Sequence, residues 1–177
     1  MVGTPPPGTT TWWLGTGDGL VADVPGVDLA VLTADCAPIA LASPEGLAAA
    51  VHAGWRGLLL GVVAAAAAAL RSRGATEVVG ALGPCIHAEC YEFGPADLDA
   101  VAAAFGDGVR GRAAGGGPAL DLPAAVAAAL AGAGVDQVPG ADACTSCSPV
   151  PYFSHRARAD EGRLALLVWS ERAGGPR

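Results

Sequence analysis

The chain contains no lysine and no asparagine; all ten of its basic residues are arginine. Without lysine, Schiff-base chemistry and the phosphate-binding lysine of a P-loop are both excluded. Methionine occurs once, as Met1, which leaves no candidate for the weak axial ligand of a blue-copper centre. Charged residues make up only 15% and the net charge is −7, so clustered cations able to neutralise a nucleic-acid backbone are missing. The longest apolar run, LLLGVVAAAAAAL at 58–70, is 13 residues, short of the ~20 that span a bilayer. The opening MVGTPPPGTTTWW has neither the basic start nor the apolar stretch of a secretory signal.

What is present is 177 residues, 52% of them hydrophobic, enough for one globular domain with a buried core. Five cysteines, an odd number, fit reduced thiols better than a disulfide framework. The expectation is an acidic cytoplasmic α/β domain with no membrane span. Residues 1–18 are expected to be loose, 19–170 to form the domain and 171–177 to be a tail.

Short apolar runs without helical period read as strands: VDLAVLTAD (27–35) and APIALAS (37–43), both expected to be buried, then LAAAVHA (47–53), EVVGALG (77–83) and LALLVW (164–169). SPEG (43–46) has the Pro and Gly of a type I turn, so the strand after it returns antiparallel. Helices are expected over 57–73, 94–105 and 123–133, the last two opening near a proline. GDGVRGRAAGGGPA (106–119) reads as a flexible loop, VDQV (135–138) as a short strand and 141–163 as an ordered loop. Strands and helices do not alternate strictly, which favours a mixed sheet.

Cys36 and His52 flank the SPEG turn. A two-residue loop would place 36 opposite 53 and send the two side chains to opposite faces; a shift of one residue would bring them to one face. Thiolate and imidazole are favoured zinc ligands. From spacing alone a buried Cys and a hydrogen-bonded His is the plainer reading. In HAGWRG (52–57), two glycines and Arg56 before a helix suit either an anion site or a tight connection packed on Trp55. Cys85 and Cys90, with Cys144, Cys147 and His87, could form a structural zinc site or a redox pair, but incidental thiols on separate loops are the plainer account. The segment FSHRAR (153–158) either lines a site or caps the surface.

Taken in order, LTADCAPIAL, AAVHAGWRGLLLGV, LGPCI…CYEFG, LDLPAAV…LAGAGV, CT…PYFSHRAR and GRLALLVW resemble the bacterial laccase-domain family, long labelled multicopper polyphenol oxidoreductase. Its members are also described as purine nucleoside phosphorylases with adenosine deaminase activity and as peptidoglycan editing factors. The likeness spans roughly residues 19 to 170. It implies a mixed-sheet α/β/β/α sandwich and zinc held by Cys36 and His52, which reverses the reading from spacing. It also implies phosphorolysis of adenosine, inosine, guanosine or methylthioadenosine, and attack of metal-activated water on C6 of adenine. Purine nucleosides and phosphate are then the expected small-molecule partners, zinc the expected cofactor and copper the less favoured one. Asp35 is a candidate general base or support for the ligands, and Arg56 a candidate phosphate fork.

Two features depart from the family pattern. Its third zinc ligand is a His in a Gln-Val-His-Gly segment before the GDGLVADVPG stretch, and here no His precedes position 52. His87, His155 or an acidic side chain are the candidate substitutes. SHRAR also replaces the commoner Arg-Arg-Asp ending. A shortened, non-catalytic family member and a cysteine-dependent amidase-like hydrolase are therefore alternatives to the zinc enzyme.

Overall fold

The computed structural model describes residues 17–170; the expectations for 1–16 and 171–177 lie outside it. Strands β1 (Gly19–Ala22), β2 (Leu29–Thr33), β3 (Ala37–Ala42) and β4 (Ala48–Ala53) come first. Helices α1 (Trp55–Leu59) and α2 (Val62–Arg71) precede β5 (Val79–Leu82) and α3 (Pro95–Phe105). The ribbon β6 (Arg110–Arg112) and β7 (Pro118–Leu120) leads to α4 (Leu122–Gly132), β8 (Asp136–Gln137), α5 (His155–Arg158) and β9 (Leu164–Val168).

The main sheet has the order β1-β4-β3-β5-β8, antiparallel except for the parallel β5–β8 pair, as a mixed α/β fold requires. Its centre is the hairpin predicted at SPEG. Ser43 donates to the Leu47 carbonyl, Gly46 donates to Ser43, and Gly46 sits at φ +83°. The loop is thus three residues, closed by a glycine in the left-handed region. Ile39, Leu41, Val51 and Ala49 from this hairpin are fully buried. Helices α2 and α4 cover one face of the sheet through Val63, Ala67, Leu70, Val126 and Leu130. Arg71 ties the two helices together, donating to the Ala133 and Gly134 carbonyls at 2.8 and 2.6 Å beyond the end of α4. On the opposite face Ala48 and Ala50 meet Leu29, Val31 and Val168. Those last three belong to a second sheet, β2 paired antiparallel with β9. Helices, large sheet and small sheet therefore stack in that order.

Three local expectations are corrected. The helix expected over 57–73 begins at Trp55 and is broken at Gly61, whose φ of +79° cannot continue a right-handed helix. β2 is half exposed and alternates, with Leu29, Val31 and Thr33 inward and Leu32 outward, because it pairs with β9 rather than joining the main sheet. The Gly/Arg segment 106–119 is an ordered ribbon. Arg110 bridges Asp99 at 2.8 Å and Asp107 at 2.9 Å, Val109 is buried, and Ala114 donates to the Glu89 carbonyl at 2.9 Å.

Candidate active site

The register of the SPEG hairpin decides where Cys36 and His52 point. Pro38 faces His52 and Ala37 faces Ala53, so Cys36 comes opposite Gly54. His52 and Gly54 lie on one face of the chain, two residues apart, and the residue across from Gly54 shares that face. The three-residue loop supplies the one-residue shift that a two-residue loop would not. The structure accordingly brings the Cys36 thiol into hydrogen-bonding contact with the His52 imidazole. A Cβ built on Gly54 would lie 3.2 Å from Cys36 Sγ, which accounts for glycine there. Gly57 has only ordinary contacts at its Cβ position, so its presence has no comparable explanation.

His52 is held from its other side. Its Nδ1 lies 2.9 Å from Asp18 Oδ1, and its backbone N–H donates to the Asp18 carbonyl at 2.7 Å. The Cys36 hydrogen bond and, after it, Asp18 raise the His52 pKa to about 9 against the opposing effect of burial. With Nδ1 engaged by a carboxylate, Nε2 is the nitrogen left for Cys36 or a metal, the arrangement that orients metal-binding histidines.

Asp35 adopts φ +83°, a strained backbone for a residue with a side chain, and is 7% exposed. Its carbonyl accepts from Ile86 N–H at 2.9 Å. One carboxylate oxygen accepts from the Thr145 hydroxyl at 2.7 Å and the other from the Arg156 backbone N–H at 2.6 Å. Asp35 thereby draws the 144–147 and 154–158 segments over the end of the hairpin. The serine before α5 caps it, Ser154 Oγ accepting from Ala157 N–H at 3.1 Å. FSHRAR both lines the site and caps the surface: Arg158 donates to the Ser146 and Tyr152 carbonyls, while His155 is exposed.

Aromatic rings form the adjoining wall. Trp55 and Tyr91 each meet Phe93 edge to face, at 5.3 and 5.2 Å. The Arg56 guanidinium lies 4.3 Å above the Trp55 ring and that of Arg156 lies 5.7 Å from Tyr91. Burial pushes the Tyr91 hydroxyl up to about 12, with Cys36 adding to the effect, so it stays protonated near neutrality. Asp18, Tyr91 and Thr145 were not singled out by sequence reasoning, whereas Arg156 stood in FSHRAR as a candidate for lining a site. Only the CYEFG and CT…SHRAR motifs carried a trace of them, because their placement depends on loops far apart in the chain.

Of the candidate substitute ligands, His155 is exposed and His87 is turned toward other carboxylates. His87 faces Asp142 at 3.7 Å and Glu89 at 4.0 Å. Among the described residues no third His, Cys or carboxylate forms a metal-binding group with Cys36 and His52. The group that does form comprises Glu89, Cys90, Cys144 and Cys147, so these thiols are not incidental residents of separate loops. An apolar groove of about 280 Å³ between the helices is lined by Leu58, Val63, Phe105 and neighbouring alanines, and by none of the candidate-site residues.

Cys36 beside His52, the anchored Asp35 and the arginines Arg56 and Arg156 over aromatic rings make up the candidate site at the end of the main sheet's central hairpin. The family model described as multi-copper polyphenol oxidoreductase laccase matches residues 6–171, and the chain belongs to that family. A purine nucleoside phosphorylase of Mycobacterium tuberculosis H37Rv is 43% identical over 157 residues, covering 87% of this chain and 62% of its own length. Purine nucleoside phosphorylase YfiH of Shigella flexneri is 32% identical over 154 residues, covering 86% and 63%. Among solved structures, NMB0706 of Neisseria meningitidis aligns with a TM-score of 0.78 at 32% identity, covering 88% of this chain and 65% of that one. YlmD of Geobacillus stearothermophilus aligns at 0.77 and 32% identity, covering 88% and 61%. The chain thus spans less than two thirds of the length of these relatives.

Proposed function

We propose that the chain is a metal-dependent purine nucleoside phosphorylase whose metal, zinc, is held by Cys36 and His52. The single observation that carries this is the Cys36–His52–Asp18 arrangement, a soft thiol beside an imidazole whose far nitrogen is anchored. It is joined by the relatives named purine nucleoside phosphorylase at 43% and 32% identity. The pair fits zinc as two of the three protein ligands of a catalytic site, the third not being among the described residues. Bound there, zinc would supply Lewis-acid stabilisation of developing negative charge, an effect of several kcal/mol.

In phosphorolysis a phosphate oxygen bonds to C1′, the glycosidic C–N bond breaks, and the purine leaves with the bonding pair and takes a proton. Arg56, stacked on Trp55, presents a planar fork that suits phosphate oxygens. The Tyr91–Phe93–Trp55 wall offers aromatic edges and faces to a purine. Both oxygens of Asp35 already accept hydrogen bonds. That favours a positioning role, holding Thr145 and α5 over the pair, above that of a general base.

The test is incubation of the purified chain with inosine and phosphate, followed by chromatography. Hypoxanthine and ribose 1-phosphate in equal amounts, with neither formed when phosphate is omitted, is the expected result. Inosine appearing from adenosine without phosphate would add the deaminase activity; free ribose instead of its phosphate would contradict phosphorolysis.

One observation favours a second reading. Cys36, His52 and Asp18 also form the nucleophile–base–orienter series of a cysteine hydrolase. Loss of activity on thiol alkylation but not on chelation would favour that reading.

A further inference from the structure

The remaining polar cysteines converge on one point away from the Cys36–His52 pair. Cys90 closes the 3-10 turn Ala88–Cys90, while Cys144 and Cys147 bracket the turn carrying Thr145. Their three sulfurs and a carboxylate oxygen of Glu89 lie within 4.8 Å of one another. Cys90 Sγ is 2.9 Å from Cys147 Sγ, and the Cys147 thiol donates to Glu89 Oε1 at 3.5 Å. The His87 backbone N–H donates to Cys144 Sγ at 3.4 Å, the kind of bond that stabilises charge on sulfur. Cys85, by contrast, is 1% exposed and stands outside the group; burial pushes its thiol up to about 12, so it is a core residue.

We propose that Glu89, Cys90, Cys144 and Cys147 bind a zinc ion distinct from any metal at Cys36 and His52, clamping the 144–147 turn to the 87–92 segment. Three thiolates and a carboxylate match the donor number and softness of a closed tetrahedral zinc site. With zinc–sulfur bonds of about 2.3 Å the sulfurs of such a site stand about 3.8 Å apart. The cluster spans no more than 4.8 Å, and Cys90 and Cys147, 2.9 Å apart, would separate by about 1 Å to admit the ion. Zinc would displace the thiol protons, so binding releases protons and weakens as pH falls. The clamped turn carries the Thr145 hydroxyl that Asp35 accepts, which links the second site to the first through structure alone. The inference does not depend on the nucleoside reading.

The experiment is metal analysis by mass spectrometry on protein purified under reductant without chelator or nickel. The Cys36→Ala variant is expected to retain about one zinc per chain. Adding Cys90→Ser and Cys147→Ser to it should remove that zinc. In case the multiple variant fails to fold, Cys36→Ala is also loaded with cobalt in place of zinc. Thiolate-to-cobalt charge transfer and the strong absorption of tetrahedral cobalt are expected. A zinc-free Cys36→Ala protein without those bands would overturn the proposal. So would a zinc that survives the loss of Cys90 and Cys147, or a Cys90–Cys147 disulfide persisting under reductant.

Discussion

At Asp35 the backbone stands at φ +83° and the carboxylate accepts from Thr145 and from the Arg156 N–H, so strain is held in place by one buried and one partly buried hydrogen bond. Thr145→Val leaves one carboxylate oxygen without its partner and is expected to cost about 1–3 kcal/mol by denaturant titration; an unchanged midpoint would show that Asp35 does not depend on this contact. His52 sets a pH dependence in the metal-free protein. Its folded pKa lies near 9 against an ordinary 6.5. The imidazolium therefore stabilises the fold fully below pH ~6.5 and loses that contribution as pH rises through about 9. The gap in Tm between wild type and His52→Gln should shrink from pH 6 to pH 10; a gap independent of pH would refute the assignment. The readability of these residues from sequence was uneven. Cys36 and His52 were visible as residue types, but their meeting rested on a one-residue difference in loop length that neither composition nor spacing reveals. Asp18 was invisible because its role is set by the end of β1 lying beside β4.

Elements followed the sequence where the signal was local. Pro95 opens α3, and Asp121 caps α4 by accepting from Ala124 N–H at 2.9 Å. They departed where a single backbone angle or a distant partner decides. Gly61 splits α1 from α2 at φ +79°, so Gly61→Ala is expected to destabilise by about 1–2 kcal/mol, despite alanine's better helix propensity. The 106–119 ribbon was hidden behind its glycines because what orders it is Arg110 between two carboxylates. At Gly140 a Cβ would run into the Leu82 carbonyl, backbone that cannot rotate away. Gly140→Ala should therefore lower the unfolding free energy by about 1–3 kcal/mol. Gly108→Ala, which has open space at the Cβ, should change it by less than about 0.5. Equal effects would mean that the approach of 140 to β5 does not constrain the fold.

For the molecule as a whole, the mixed sheet places Cys36 and His52 at the end of its central hairpin, with the helices on one side and the β2–β9 sheet on the other. The outward face of that small sheet leaves Leu32 and Leu167 half exposed. The chain spans 62% of the length of its mycobacterial relative, so the activity of this chain must be measured on this chain. The most direct measurement is the rate of inosine phosphorolysis as zinc is added back to chelator-treated protein, for wild type and Cys36→Ala in parallel. Recovery of the rate with zinc in wild type, and a rate at least ~100-fold lower in Cys36→Ala at every zinc level, is expected from a metal held by Cys36 and His52. Equal rates in the two proteins, or activity that chelation leaves untouched, would contradict it.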